Sequence, residues 1–390
     1  MPPPRSRLAI IFLTVLIDLI GFGIVLPILP FYADRFGAQG FGFGGLVFVF
    51  SAMQFVATAL LGRLSDRMGR RPILLATMVL NAAGYLLFAF AGSYLALFVA
   101  RVISGFASGN VAAAQAYVAD ITPPAERARG MGVIGAAFGI GFVAGPIIGG
   151  LAAHYGGRLA PGLVAAGLSL VNFVSARAIL VESLAAEHRR TRPLFDLAHM
   201  GQAVARRRLR PLMLVWLIAP FAFAGYTVVL PLHTKAAFGW SEKDLAWLFA
   251  LIGATAAVIQ GYAFGRLERR AGPRLLLSAG LFGMAVAIAA LPWVGSSAGI
   301  YAWTVPLAMA NSIFAPAATG LVSAYADPSE QGTILGAAQA FAALGRSLGP
   351  LAAGWAYDDL GQRAAFLTAA GIMVLAAVAS LGLERVSREP

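Results

Sequence analysis

The sequence predicts an all-α membrane protein of twelve transmembrane helices, arranged as two pseudo-symmetric six-helix bundles. Three observations predict it: a composition that no soluble surface accommodates, twelve apolar runs of spanning length, and a repeat that maps one half of the chain onto the other. Hydrophobic residues make up 59% of the 390 and charged residues only 12%, where soluble domains are roughly a quarter charged. Lipid is the solvent such a chain requires. A net charge of +12 would suggest nucleic acid for a soluble protein. Here the charge sits in short gaps between apolar runs, the pattern of membrane loops, and no nucleic-acid partner is expected. Cysteine is absent, which excludes disulfides and cysteine-based nucleophiles or metal sites and leaves the redox compartment open.

A helix needs about 20 mostly apolar residues to cross roughly 30 Å of hydrocarbon. The first run, residues 8–33, is longer than a signal-peptide core and lacks an A-x-A cleavage site, so it reads as a retained span. Further spans fall near 44–62, 72–91, 94–119, 131–154 and 160–181, then 211–234, 244–265, 274–293, 299–324, 333–356 and 364–383. The fifth and eleventh are rich in glycine, which is commoner in membrane helices than in soluble ones. Lysine and arginine check the count. With the N-terminus inside, 21 of the 29 fall in cytoplasmic segments, five outside and three (Arg101, Arg177, Arg346) within spans. This positive-inside bias places both termini in the cytoplasm. One missed span would scramble it.

The polar segment 182–210 divides the spans six and six, giving an N-terminal bundle over 1–181, a basic cytoplasmic linker over 182–210 and a C-terminal bundle over 211–390. The linker reads as a tether obeying the inside rule, or as an amphipathic helix on anionic headgroups. The halves repeat. Gly62-Arg-Leu-Ser-Asp-Arg-Met-Gly-Arg-Arg71 recurs as Gly265-Arg-Leu-Glu-Arg-Arg-Ala-Gly-Pro-Arg274 at an offset of 203 residues. Gly132, Gly141, Gly145, Pro146 and Gly150 recur as Gly336, Gly345, Gly349, Pro350 and Gly354 at an offset of 204. Parallel repeats of this kind build transporters with a midplane site between two halves.

GRLSDRMGRRP resembles the signature loop between spans two and three of the major facilitator superfamily. Arg101-Val-Ile-Ser-Gly105 with Gly109 resembles that superfamily's fourth-span motif, and GFVAGPIIGG (141–150) is similar to the fifth-span motif of its drug/proton antiporters. LIDLIGFGIVLPILP in span one looks like the tetracycline-exporter branch. The resemblance covers essentially the whole chain and implies the major facilitator fold with proton-coupled drug efflux. Departures are clear: Gly84 stands where that branch carries an acid in span three, span nine has no acid, and span eight keeps Gln260 but has no histidine. Tetracycline itself does not follow as a substrate.

The resemblance also implies a gating motif made of Gly62, Asp66, Arg67, Gly69, Arg70, Arg71 and Asp120. Asp66 would sit near the N-terminus of span eleven, around Gly332 and Thr333, and Arg70 near Asp120. A carboxylate there gains about 0.3–1 kcal/mol from the helix dipole. On the residues alone, these charges could equally set topology. The antiporter motif, Gly141, Gly145, Pro146, Gly149 and Gly150, has the small-xxx-small spacing that brings helices close and is expected to form a tight seam between the halves.

An ionisable residue inside a span costs at least about 2.5–3.5 kcal/mol and points to a site. Asp18 is the acid clearly within a span, 11 residues after Arg7, or about 16 Å along the helix. Arg346 and Arg101 are its candidate partners for proton coupling; the alternative is a structural ion pair holding helices together. Arg177 is close enough to the cytoplasm to snorkel. The substrate cavity is expected among Gln54, Asn81, Gln115, Tyr226, Gln260, Asn311, Phe314 and Gln339, although amides in lipid also bridge helices.

Two further motifs carry nothing. Gly130-x-Gly132-x-x-Gly135 opens a span and follows no strand, and Gly295-Ser-Ser-Ala-Gly299 lies in an external turn with no evident histidine–acid pair. No P-loop is present to hydrolyse ATP. The expectation is therefore a monomeric secondary transporter of the inner membrane, not an enzyme. It needs no cofactor or metal, and its partners are lipid, protons and a small amphipathic substrate exported as in multidrug or antibiotic resistance. An importer of a metabolite on the same fold, a hydrolase using Ser297 and a non-transporting scaffold are the rivals.

Overall fold

A peptide group in hydrocarbon has no water to bond, so every span must satisfy its own backbone, and a helix does this within one segment. The computed structural model describes residues 4–123, 126–184, 209–325 and 331–383, which are helical with no strand among them. Ten helical runs are long and apolar enough to cross a bilayer. One of these, Glu242–Trp293, contains two crossings that meet at Gly272. Another crossing is Gln331–Asp359, a 29-residue helix whose polar residues lower its hydropathy. Twelve crossings are thus described. Most of the segment 182–210 lies outside the described residues, as do the side chains of Gly332 and Thr333.

Several elements differ from expectation for identifiable reasons. Span one ends at Val25, and Leu29–Asp34 forms a separate short helix with Pro30 in its first turn; Pro27 and Pro30 interrupt the run read as one helix. Span four changes from α-helix to a 3-10 turn over Ser108–Asn110 before resuming at Val111. The signature segment is not a loop. Span two runs over Gly40–Met68 and span three begins at Arg70, so Gly69 alone separates them, at φ 107° and ψ 158°. Gly272 makes the equivalent break between spans eight and nine at φ 75° and ψ 158°. L side chains rarely adopt such a conformation.

Among the described residues, the six glycines of positive φ fall into repeat pairs: Gly37 with Gly239, Gly69 with Gly272, and Gly157 with Gly361. Packing repeats as well. In the first half span one lies against spans five and six, and span three against four and six; in the second, seven lies against eleven and twelve, and nine against ten and twelve. Contacts divide the chain into two units. The first comprises Met1–Gly37, Val49–Phe195 and Ser241–Ala250; the second comprises Ala38–Phe48, Asp196–Trp240 and Leu251–Pro390. Large apolar side chains such as Leu95, Val174, Val258, Val286 and Leu375 stay exposed on the helices, as lipid-facing residues do.

The glycine motif of span five is used within its own half. A methyl group at Gly145 would stand 2.7 Å from the Gly23 Cα and 2.8 Å from the Ile20 carbonyl oxygen. Gly141 meets Leu19, and Gly149 meets the backbone of Ile24. The expected seam between halves is therefore, for these three glycines, a seam with span one; Gly150 instead meets Ala246. Gly345 and Gly349 close on Leu217 and Phe221 of span seven in the same manner. Without a hydrophobic driving force between helices in lipid, such close backbone approach supplies the packing energy.

Replacing Gly145 by alanine should lower stability by about 1–3 kcal/mol, the usual cost of overpacking. Gly139→Ala in the same helix, where no atom lies within 4 Å of the added carbon, should be neutral or gain up to about 1 kcal/mol. Thermal unfolding of the purified protein in detergent measures both; equal losses would remove the seam from the argument.

Candidate functional site

Asp18 occupies the centre of a polar cluster in the first unit. The Asn110 amide nitrogen donates to its Oδ2 at 2.6 Å and reaches the Thr77 hydroxyl at 3.3 Å. Asn81 and Asn172 lie close enough to act on the same carboxylate, and the Asn172 amide donates to the Thr14 carbonyl at 3.2 Å. Four spans thus converge on one acid. Thr14 and Asp18 share a face of span one, a turn apart, and Thr77 and Asn81 do the same on span three. The 3-10 turn of span four places Asn110. Sequence reasoning selected Asp18 and Asn81 but missed Asn110, Asn172, Thr14 and Thr77. The amides carried a usable signal, being uncharged polar groups well inside spans.

The arginines are placed otherwise than as simple partners. No ion pair joins Asp18 to an arginine among the described residues. Arg101 is buried with its guanidinium 4.1 Å from the centre of the Phe50 ring, a cation–π contact. Tyr85, also buried, lies within electrostatic reach of both Asp18 and Arg101. Arg346 stands on an exposed face of span eleven in the second unit, beside the glycine stripe.

At the end of span two, Arg70 is a hub. Its Nη1 lies 2.5 Å from Asp66 Oδ1 and donates to Ser65 Oγ at 2.6 Å, while its Nε reaches Asp120 Oδ2 at 3.2 Å. Asp66 thus pairs across the Gly69 break with the first residue of span three. Arg67 is exposed, and Arg71 donates to the Arg177 carbonyl at 2.9 Å.

Glu182, which the sequence reading passed over as the first linker residue, completes this network. Its carboxylate accepts the backbone N–H groups of Arg70 at 2.8 Å and Arg71 at 3.2 Å. It thereby caps the first amides of span three, which have no partner within the helix. Ser183 donates to Asp120 at 2.9 Å. Any side chain at Gly69 would strike Glu182, a second reason for glycine there. An acid directly after an apolar span was the signal available.

The expected cavity residues divide by exposure. Gln115, Gln260 and Gln339 are exposed, and Gln54 and Asn311 half-buried. Asn81, Tyr226 and Phe314 are buried inside their own units. Phe314 packs on Trp216 with ring centres 5.6 Å apart, and the Tyr226 hydroxyl stands beside Thr304. Gln54 donates to the Ser108 carbonyl and Gln260 to the Ser312 carbonyl, each at 3.4 Å, so both glutamines bridge helices. Gln260 sits in a five-residue π-helical turn, Ile259–Ala263, a distortion frequent at functional sites.

Glu182→Ala should cost about 0.5–2 kcal/mol, the worth of a helix cap, with Glu182→Gln milder because one acceptor oxygen remains. Hydrogen exchange at the amides of Arg70 and Arg71 should rise in the alanine variant. Unchanged exchange would mean that the carboxylate does not hold the cap.

The description "Major Facilitator Superfamily" belongs to the family model that matches residues 11–306 and 212–390. The chain is 31% identical to the human major facilitator superfamily domain-containing protein 10, covering 96% of this chain and 92% of that one. It is 30% identical to the class D tetracycline resistance protein of Salmonella ordonez, covering 92% of each. The crystal structure of the human organic anion transporter MFSD10 (TETRAN) superposes with a TM-score of 0.73 at 28% identity, covering 97% of this chain and all of that one. The twofold helical architecture, the Asp66–Arg70–Asp120 cluster and these likenesses lead to one conclusion: the chain belongs to the major facilitator superfamily, alongside its tetracycline-exporter-like members, and is an integral membrane transporter.

Proposed function

We propose that this transporter is a proton-coupled exporter of small amphipathic molecules, working by alternating access as a monomer in the inner membrane with both termini cytoplasmic. The observation that carries the reading is Asp18: a carboxylate held among neutral amides and hydroxyls within a span, with no arginine paired to it among the described residues. Such a group is costly to keep charged. Protonation removes that cost and solvent access restores the charge, so alternate exposure to the two sides would load and release a proton. The Asp66, Arg70, Asp120 and Glu182 network is assigned to gating, since its bonds sit at one end of spans two, three and four where they can break and reform.

Substrates are proposed to be neutral, zwitterionic or weakly acidic. Arg101 and Arg346 outnumber Asp18 among ionisable residues deep in the spans, which disfavours strongly cationic compounds. A relative described as an organic anion transporter and another named for tetracycline resistance support that choice and the direction of export. Gln115, Gln260 and Gln339, being exposed on their helices, are the proposed contacts.

The test is transport in proteoliposomes under an imposed pH gradient, screened with anionic, neutral and cationic compounds. Once a substrate is found, Asp18→Asn should abolish gradient-driven accumulation while leaving substrate binding measurable; uphill transport with the wild-type pH dependence would place the proton elsewhere. Substrate movement down the proton gradient, rather than against it, would turn the reading into import. Topology has its own check. Cysteines at exposed Arg35 and Arg363 should label from outside in cells, and those at exposed Arg67 and Arg266 only from inside. Outside labelling at Arg67 would invert the assignment.

A further inference from the structure

Span two starts without an acid of its own: its first turn, Gly40-Phe-Gly-Phe43, contains none, and Gln39 precedes it. The matching start of span eight is built differently. There Asp244 Oδ2 accepts from the Ser241 backbone N–H at 2.8 Å and from the Ser241 hydroxyl at 2.7 Å, so the helix closes its own first turn as a capping box does. Span two takes its acid from elsewhere. The Phe41 backbone N–H donates to Asp358 Oδ2 at 2.7 Å, and Asp358 is the penultimate residue of span eleven. Small residues bring the two helices together at this point. A methyl group at Gly40 would strike the Asp358 carboxylate, one at Gly44 the Pro350 carbonyl, and one at Gly354 the Gly40 carbonyl. All of these residues belong to the second unit, whereas span two from Val49 onward belongs to the first. One continuous helix, Gly40–Met68, is thus shared by both units. In the first unit the end of span five meets the start of span eight, Gly150 against Ala246, and His154 stands at the position that matches Asp358 at the offset of 204. The acid is present where the facing helix lacks a local cap and absent where the helix supplies one.

We propose that Asp358 is a releasable latch between spans eleven and two, and that breaking its bond to Phe41 is part of opening this end of the transporter. Three features suit the bond to that task. It joins a carboxylate to the N-terminus of a helix, where the amides have no partner within the helix and negative charge is favoured. It lies in an exposed position, so water takes the place of the carboxylate when the helices part. Because no acid in the first turn of span two follows that helix as it moves, the cap is held only while spans two and eleven touch, and the touching state gains its full worth. A cap made inside span two would stabilise both states equally and would latch nothing. The contact lies at the end of span two opposite to Asp66 and Arg70. The proposal rests on the alternating-access reading and adds to it the residue that holds this end closed.

Distances between spin labels on the purified full-length protein in lipid nanodiscs test the latch without a transport substrate. The chain has no cysteine, so Ala38→Cys and Leu360→Cys place one label beside each helix end and nowhere else. Asp358→Ala should raise the ratio of separated to touching ends about 3–30-fold, the population equivalent of a helix cap. Asp358→Asn, which keeps an acceptor oxygen without the charge, should raise it less. Asp359→Ala, at the neighbouring exposed acid, should leave it unchanged. Gln39→Ser gives span two a local cap while Asp358 stays in place, and it should also raise the separated fraction, which keeps the proposal open to test if Asp358→Ala fails to fold. Combining Gln39→Ser with Asp358→Ala should restore thermal stability while the ends remain separated. An unchanged distribution in Asp358→Ala or in Gln39→Ser overturns the latch. So does a double variant that recovers the wild-type distribution together with its stability, because Asp358 is then a cap and nothing more. Alternating access is judged separately, by transport in proteoliposomes. Active transport with label distances indifferent to Asp358 leaves that reading standing and sinks the latch; shifted distances in a protein that carries no substrate do the reverse.

Discussion

Hydrocarbon cannot hydrogen-bond to a peptide group, and the rest of this structure follows from that constraint. It forces each crossing to be helical, and it removes the hydrophobic drive that would otherwise pull helices together, because a leucine gains little by exchanging lipid for leucine. Close contact between backbones must serve instead. Span five approaches span one through Gly141, Gly145 and Gly149, and span eleven approaches span seven through Gly345 and Gly349. The same requirement explains why reversals between spans are so short. One glycine at positive φ, Gly69 or Gly272, ends one helix and starts the next, leaving few backbone groups to satisfy. At Gly69 the first amides of the following helix are covered by Glu182.

Polar groups inside the spans obey the same rule with different results. Thr77 and Ser312 return their hydroxyls to carbonyls of their own helices, and Gln54 and Gln260 bond across to a neighbouring span. These are structural solutions. Asp18 is different because it is ionisable: the Asn110 amide donates to one of its oxygens, and the amides of Asn81 and Asn172 lie within reach of the same carboxylate. A charge in that position is costly, which makes protonation of this one carboxylate the event that couples protons to transport in the proposed mechanism. Arg101, whose charge is fixed, rests on an aromatic face.

The residues proposed for gating show how one motif meets two requirements. Arginines at this end of span two are counted by the positive-inside rule wherever they point. The fold then gives them separate tasks: Arg70 is buried between Asp66 and Asp120, Arg71 reaches a carbonyl at the end of span six, and Arg67 remains in the open. In the second half the position of Asp66 is taken by Arg269, so the equivalent carboxylate is lost although the glycine break is kept.

Membrane class, helix number and the repeat were all legible in the sequence, because they depend on quantities that add along the chain: apolar length, loop charge and offset. Asp18 was legible for the same reason, since an acid in an apolar run needs no neighbours to be conspicuous. Its partners were not. Asn110, Asn172 and Thr14 lie far apart in sequence from one another or from Thr77 and Asn81, and only the packing of spans one, three, four and six sets which of a span's faces meet. The glycine motif gave the same lesson, for its spacing shows that some helix approaches closely but not which one. Glu182 was hidden at a boundary: its chemical role exists only because the end of span six returns to the start of span three. The chain by itself determined which segments enter the membrane and what charges they carry. The tertiary structure decided which polar groups meet there, because contacts in lipid are chosen by the three-dimensional fit of helix faces, a property that no linear pattern encodes.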